Sequence, residues 1–130
     1  MKQNKVTASI RITGEKLDLE AISSVLNIKP THVHKKGDLD MTKEKYRQDM
    51  WLLTSPLSQK KSLDLHLKWL EKKLKPYYGY LVKLKSRAKI DIFCSYTSCD
   101  QLSGFSLSST ALSIFTELDV KMEISLIFLN

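Results

Sequence analysis

The sequence predicts an α+β fold: a single mixed or antiparallel sheet of four to five strands with helices packed on one face. The expected plan is a ferredoxin-like core plus an added helix–strand unit. Three observations predict it. Several segments alternate apolar and polar residues, the pattern of strands with one dry and one wet face. Amphipathic segments with capping residues lie between them. At 130 residues the chain fits one domain, spanning 1–130, able to bury a core without a metal or disulfide.

The first strand is KVTASIRIT, with Val6, Ala8, Ile10 and Ile12 on one face and Thr7, Ser9 and Arg11 on the other. Gly14 ends it. In DLEAISSVLNI, Asp18 is placed as an N-cap and Ile22, Val25 and Leu26 fall at helical spacing. Asn27 suits the left-handed C-terminal cap, and Pro30 blocks continuation. THVHKK fits either a short strand or a charged turn, with GDLDMTKE as the loop that follows. Residues 46–55 read as a strand, Trp51 and Leu53 on one side and Met50 and Leu52 on the other.

Pro56 breaks that strand, and Ser62 caps a helix with an apolar stripe of Leu63, Leu67, Leu70 and Leu74. His66 is expected to be half-buried beside the stripe. Pro76 kinks or restarts the helix. KIDIFCSY alternates again, with Ile90, Ile92, Cys94 and Tyr96 on one face. Ser108 caps a last helix whose buried face is predicted as Ala111, Leu112, Phe115 and Leu118. VKMEISLIFL closes the chain as a strand, with Val120, Met122, Ile124, Leu126 and Phe128 inward.

Short motifs along this frame resemble the domain-of-unknown-function family 4279. Leu26, Ile28, Pro30 and Thr31 end the first helix in the family's manner, and Lys36, Gly37 and Asp38 follow as its lysine–glycine–aspartate turn. Trp51 opens a similar strand end, and Gly104 to Leu112 is similar to the family's turn into its last helix. The resemblance implies a compact, mostly bacterial α+β domain and carries no activity, substrate or catalytic residue.

The charge and the cysteines bound the function. The chain carries +7, but ten basic residues and only two acids (Asp64, Glu71) fall between Lys60 and Lys89, so this segment is +8 and the rest −1. Lys61, Lys68, Lys72 and Lys75 form a stripe opposite the leucines. It reads as a solvated helix face or as a surface for an acidic partner. Nucleic acid is the weaker alternative, since one arginine among ten basic residues leaves few bidentate contacts. Two cysteines without CxxC spacing are expected to be free thiols in a reducing cytoplasm. Neither a signal peptide nor a membrane span is expected, for want of a long apolar run.

Candidate chemistry gathers in two places. Between Pro30 and Asp38, His32 and His34 would face one way on a strand, with Lys36 and Asp38 beside them. A metal there is not expected, because HxH lacks further ligands at a recognised spacing, and no cofactor is expected either. Ser106 lies in GFSLS, which departs from the G-x-S-x-G elbow, so no catalytic residue is assigned. The second place is the wet sheet face, with Ser9, Arg11, Asp91, Phe93, Ser95, Glu123 and Ser125. Arg11 is expected to pair with Asp91 or Glu123 there. Trp51 joins the binding candidates from its strand.

The function expected is a small, non-catalytic, cytoplasmic binding or interaction domain for an unknown protein partner, one version being an immunity-type protein. The alternative is a small-ligand binder or enzyme using the Pro30–Asp38 turn.

Overall fold

The sheltered first strand takes the middle of the sheet. In the computed structural model, which describes residues 4–100 and 102–129, β1 (Lys5–Gly14) buries Val6, Ala8, Ile10 and Ile12 on one face and Ser9 and Thr13 on the other. The remaining elements are α1 (Leu19–Leu26), β2 (His32–His34), β3 (Asp49–Thr54) and α2 (Leu63–Leu74). They continue through a 3₁₀ turn (Lys75–Tyr77) to α3 (Tyr78–Leu84), β4 (Lys89–Ser98), α4 (Ser109–Leu118) and β5 (Lys121–Phe128).

The sheet order is β2-β3-β1-β4-β5. The first four strands pair antiparallel with one another. They interleave two β-α-β units, the ferredoxin-like arrangement. Strand β5 lies parallel to β4, as a helical crossover through α4 permits. The fold is α+β, with the helices on one face of a mixed five-stranded sheet. Leu63, Leu67, Leu70, Leu74, Leu81, Ala111 and Ile114 share one core cluster with the inward residues of β1 and β4.

Local signals position the helices as the sequence suggests. Asp18 accepts from the Ala21 amide, and Asn27 holds φ 51° at the C-cap. Ser62 and Ser108 cap α2 and α4 by accepting from Leu65 and Ala111. Pro76 sits in the 3₁₀ turn that restarts the helix. Each such cap contributes about 0.5–2 kcal/mol.

Four expectations are corrected. The strand of residues 46–55 starts only at Asp49, because the Tyr46 backbone is bonded to Gly37 and Asp38 across the preceding turn. On α4 the buried seam is Ala111, Ile114 and Leu118, while Leu112 is exposed and Phe115 half-buried. Leu126 and Phe128 on β5 are half-exposed, since β5 is an edge strand without a neighbour on one side. His66 is fully buried, not half-buried, because Ser55 reaches it with a 2.9 Å hydrogen bond.

Candidate functional site

Alternation on five strands turns one set of side chains away from the helices. Strand register fixes which of these meet. One row crosses the whole sheet: His32 on β2, Leu52 on β3, Arg11 on β1, Asp91 on β4 and Lys121 on β5. The next row is Thr54, Ser9, Phe93 and Glu123. On the other side runs His34, Met50, Thr13 and Lys89. Five of the eight sequence-derived binding candidates (Arg11, His32, His34, Asp91 and Phe93) therefore share one face.

Arg11 is the centre of this face. Its Nε donates to Asp91 Oδ1 at 2.8 Å and its Nη2 to Oδ2 at 2.7 Å, a bidentate pair on neighbouring strands. Asp91 is 5% exposed and Arg11 29%. The guanidinium carbon also lies 4.7 Å from the Phe93 ring centroid, within cation–π range. Hydroxyl pairs tie the strands on either side, Ser9–Thr54 at 2.7 Å and Thr7–Ser95 at 2.6 Å. On β5, Lys121 and Glu123 pair at 2.8 Å, which holds the Glu123 carboxyl below and the Lys121 amine above its ordinary range.

The two histidines do face each other. His32 Nε2 and His34 Nδ1 are 2.9 Å apart. The His34 ring stacks on Tyr46, with centroids 3.4 Å apart and planes 4° from parallel. His34 is buried and His32 exposed. Burial, then the neighbouring imidazole, lowers the His34 pKa.

The other candidates fall elsewhere. Trp51 is fully buried on the helix side, its Nε1 donating to Ser23 Oγ at 2.9 Å. Lys36 and Asp38 belong to the turn after β2: the Asp38 carboxylate accepts from the Lys35 amide at 2.8 Å, and Gly37 takes φ 94°. The Lys36 amine pairs with Glu15 at 3.0 Å. The basic stripe lies in the helix layer. Lys61, Lys72 and Lys75 are exposed there, while Lys68 pairs with Asp64 at 3.1 Å and Lys75 with Glu71 at 3.7 Å.

Sequence reasoning missed Asp49. Its carboxylate, 3% exposed, accepts from the Leu17 amide at 2.9 Å and the Lys36 amide at 2.7 Å, with the Lys35 amine at 3.4 Å. The Lys36 amide contributes most to holding its pKa below the carboxylate range. The signal was there: Asp49 alternates with Trp51 and Leu53, so it had to point inward and find donors. Tyr46, which pins His34, had no such signal.

Crevices of about 230 and 740 Å3 open beside α1, lined by Lys16, Leu17 and Asp18 with Arg87 or Val33. Neither draws a residue from the Arg11 face. Among the described residues, no three His, Cys, Asp or Glu side chains converge on a point that would hold a metal. No described helix is long and apolar enough to cross a membrane.

Residues 4–129 match a family described as Domain of unknown function (DUF4279). No curated protein and no solved structure matches the chain.

Proposed function

Because the chain belongs to the DUF4279 family over nearly its whole length, and that description assigns no activity, we propose a function from its surface: a one-domain, non-catalytic module that binds an acidic protein partner on the open sheet face. The observation that carries this reading is the Arg11–Phe93 pair on a face the helices leave uncovered. Arginine and aromatic residues are enriched at binding hot spots. Asp91 fixes the guanidinium beforehand, so little side-chain entropy is lost when a partner arrives. The face is a plane of strands while the crevices lie beside α1, which favours a broad protein surface over a small ligand. The charge of +7 sits mostly in the Lys60–Lys89 segment on the helix layer, so it steers an acidic partner toward the protein without defining the face on which it docks. A cytoplasmic immunity-type protein that neutralises a toxin is one such module.

The test is affinity capture from the native host with three baits: the wild-type chain, Arg11→Ala/Phe93→Ala, and Lys72→Glu/Lys75→Glu. The reading requires a partner held by the wild type and by the helix variant but lost by the face variant. Retention by the face variant with loss by the helix variant moves the working surface to the basic stripe and refutes the proposal.

A further inference from the structure

Beside the Arg11 cluster, the edge of the same face carries a set of donors that no function above uses. His32 and His34 point their Nε2 and Nδ1 nitrogens at one another, 2.9 Å apart. Opposite His34 on the neighbouring strand stands Met50. Trp51 and Leu53 face the core, so alternation turns Met50 to the histidine side, where it is half-buried. A thioether and two imidazoles are thus brought to one patch of sheet by strand register alone. His66 and Cys94, the soft ligands conspicuous in the sequence, are enclosed in the core instead.

We propose that His32, His34 and Met50 form a binding site for a single copper(I) ion, held by two imidazole nitrogens and one thioether sulfur.

Geometry and ligand chemistry both support the assignment. Two nitrogens each about 2.0–2.1 Å from an ion stand about 3.5 Å apart at the roughly 120° angle of a three-coordinate site. From 2.9 Å the two rings therefore open by about 0.6 Å to admit an ion between them. Stacking on Tyr46 at 3.4 Å fixes the His34 plane. His32 is exposed, which leaves an entry path. Asp38 and Asp49 add negative potential at His34. Thioether sulfur is the donor that separates copper(I) from zinc, which prefers imidazole, thiolate and carboxylate. The absence of a third His, Cys, Asp or Glu among the described residues near the pair argues against a zinc centre in the same place. The site stands apart from the partner-binding reading, and either can fail alone.

The test is anaerobic titration of the intact protein with copper(I) buffered by bicinchoninate, whose coloured complex reports the copper it loses. Zinc is titrated in parallel. Wild type is compared with His32→Asn, His34→Asn and Met50→Leu, each checked for its folded circular dichroism. Cys99→Ser is included because Cys99 is the more accessible thiol. The expected result is one equivalent of copper(I), lost in both histidine variants. Copper affinity falls at least about tenfold in Met50→Leu while zinc binding is unchanged, and Cys99→Ser behaves as wild type. Copper held equally by the histidine variants, lost with Cys99→Ser, or indifferent to Met50→Leu overturns the site.

Discussion

Arg11 and Asp91, eighty residues apart in the chain, meet on adjacent central strands through two parallel hydrogen bonds of 2.8 and 2.7 Å. Asp91 is almost wholly enclosed and Arg11 partly open, so solvent screens the pair from one side only. Arg11→Ala leaves a buried carboxylate without its partner and is expected to cost about 1–3 kcal/mol. Asp91→Ala should cost a similar amount. The double variant Arg11→Ala/Asp91→Ala should cost less than the sum of the single losses, because both desolvated charges vanish together. Urea unfolding of the four proteins measures the coupling. Additive losses would show that the two side chains act independently.

Asp49 joins two loops that the sheet does not connect. Its carboxylate holds the Leu17 amide before α1 and the Lys36 amide in the turn after β2. Asp49→Asn keeps the shape but removes the charge that both amides bond to, for an expected loss of about 1.5–3 kcal/mol. Hydrogen exchange gives the specific readout. The Leu17 and Lys36 amides should lose protection together, ahead of the β1 amides, whereas unchanged protection at both would discard this role.

Much of the frame was legible because local rules were strong where tertiary choice was weak. Asp18, Asn27, Ser62 and Ser108 mark helix ends through bonds made within a few residues, and all four behave as their types dictate. Alternation put Arg11 and Asp91 on the wet face, but their meeting required β1 and β4 to be neighbours in register. For α4, Ala111, Leu112, Ile114, Phe115 and Leu118 allow more than one apolar seam at helical spacing. Packing against α2 and α3 selected the one through Ile114. His66 fits within a leucine stripe only because Ser55, on the loop after β3, supplies a partner. Met50 beside His34 was unreadable for the same reason as the Arg11 pair: a register between strands leaves no mark on either strand alone.

His66 should make stability fall in mild acid. Burial disfavours the charged ring, so its pKa in the folded protein lies below the ordinary value. The unfolded chain takes up this proton near pH ~6.5. Below that pH the unfolded state binds more protons than the folded one, so stability rises with pH across the window and levels off above it. Each pH unit inside the window is worth up to about 1.4 kcal/mol for one such group. His34 shifts the same way, so the check is a difference: the wild type should lose more stability between pH 7.5 and 5.5 than His66→Gln. Parallel profiles would remove His66 as the cause.

The two thiols should differ sharply in reactivity. Cys94 alternates with Ile90 and Ile92 on the core face of β4 and is fully buried, and burial pushes its thiol up to about 12. A thiol reacts as its thiolate, so Cys94 is protected both by enclosure and by protonation. Cys99 follows the end of β4 and is only half-buried. A chromogenic disulfide reagent should therefore modify one thiol of the native protein promptly and the second only when the protein opens. The rate at the second should rise with denaturant in step with unfolding. Cys99→Ser should abolish the prompt phase and leave the slow one. Cys94→Ser should instead destabilise the protein by about 1–3 kcal/mol, since it places a hydroxyl where only apolar contacts are available. Prompt modification of both thiols in the native protein would show that β4 opens to solvent without global unfolding, contrary to its place at the centre of the core.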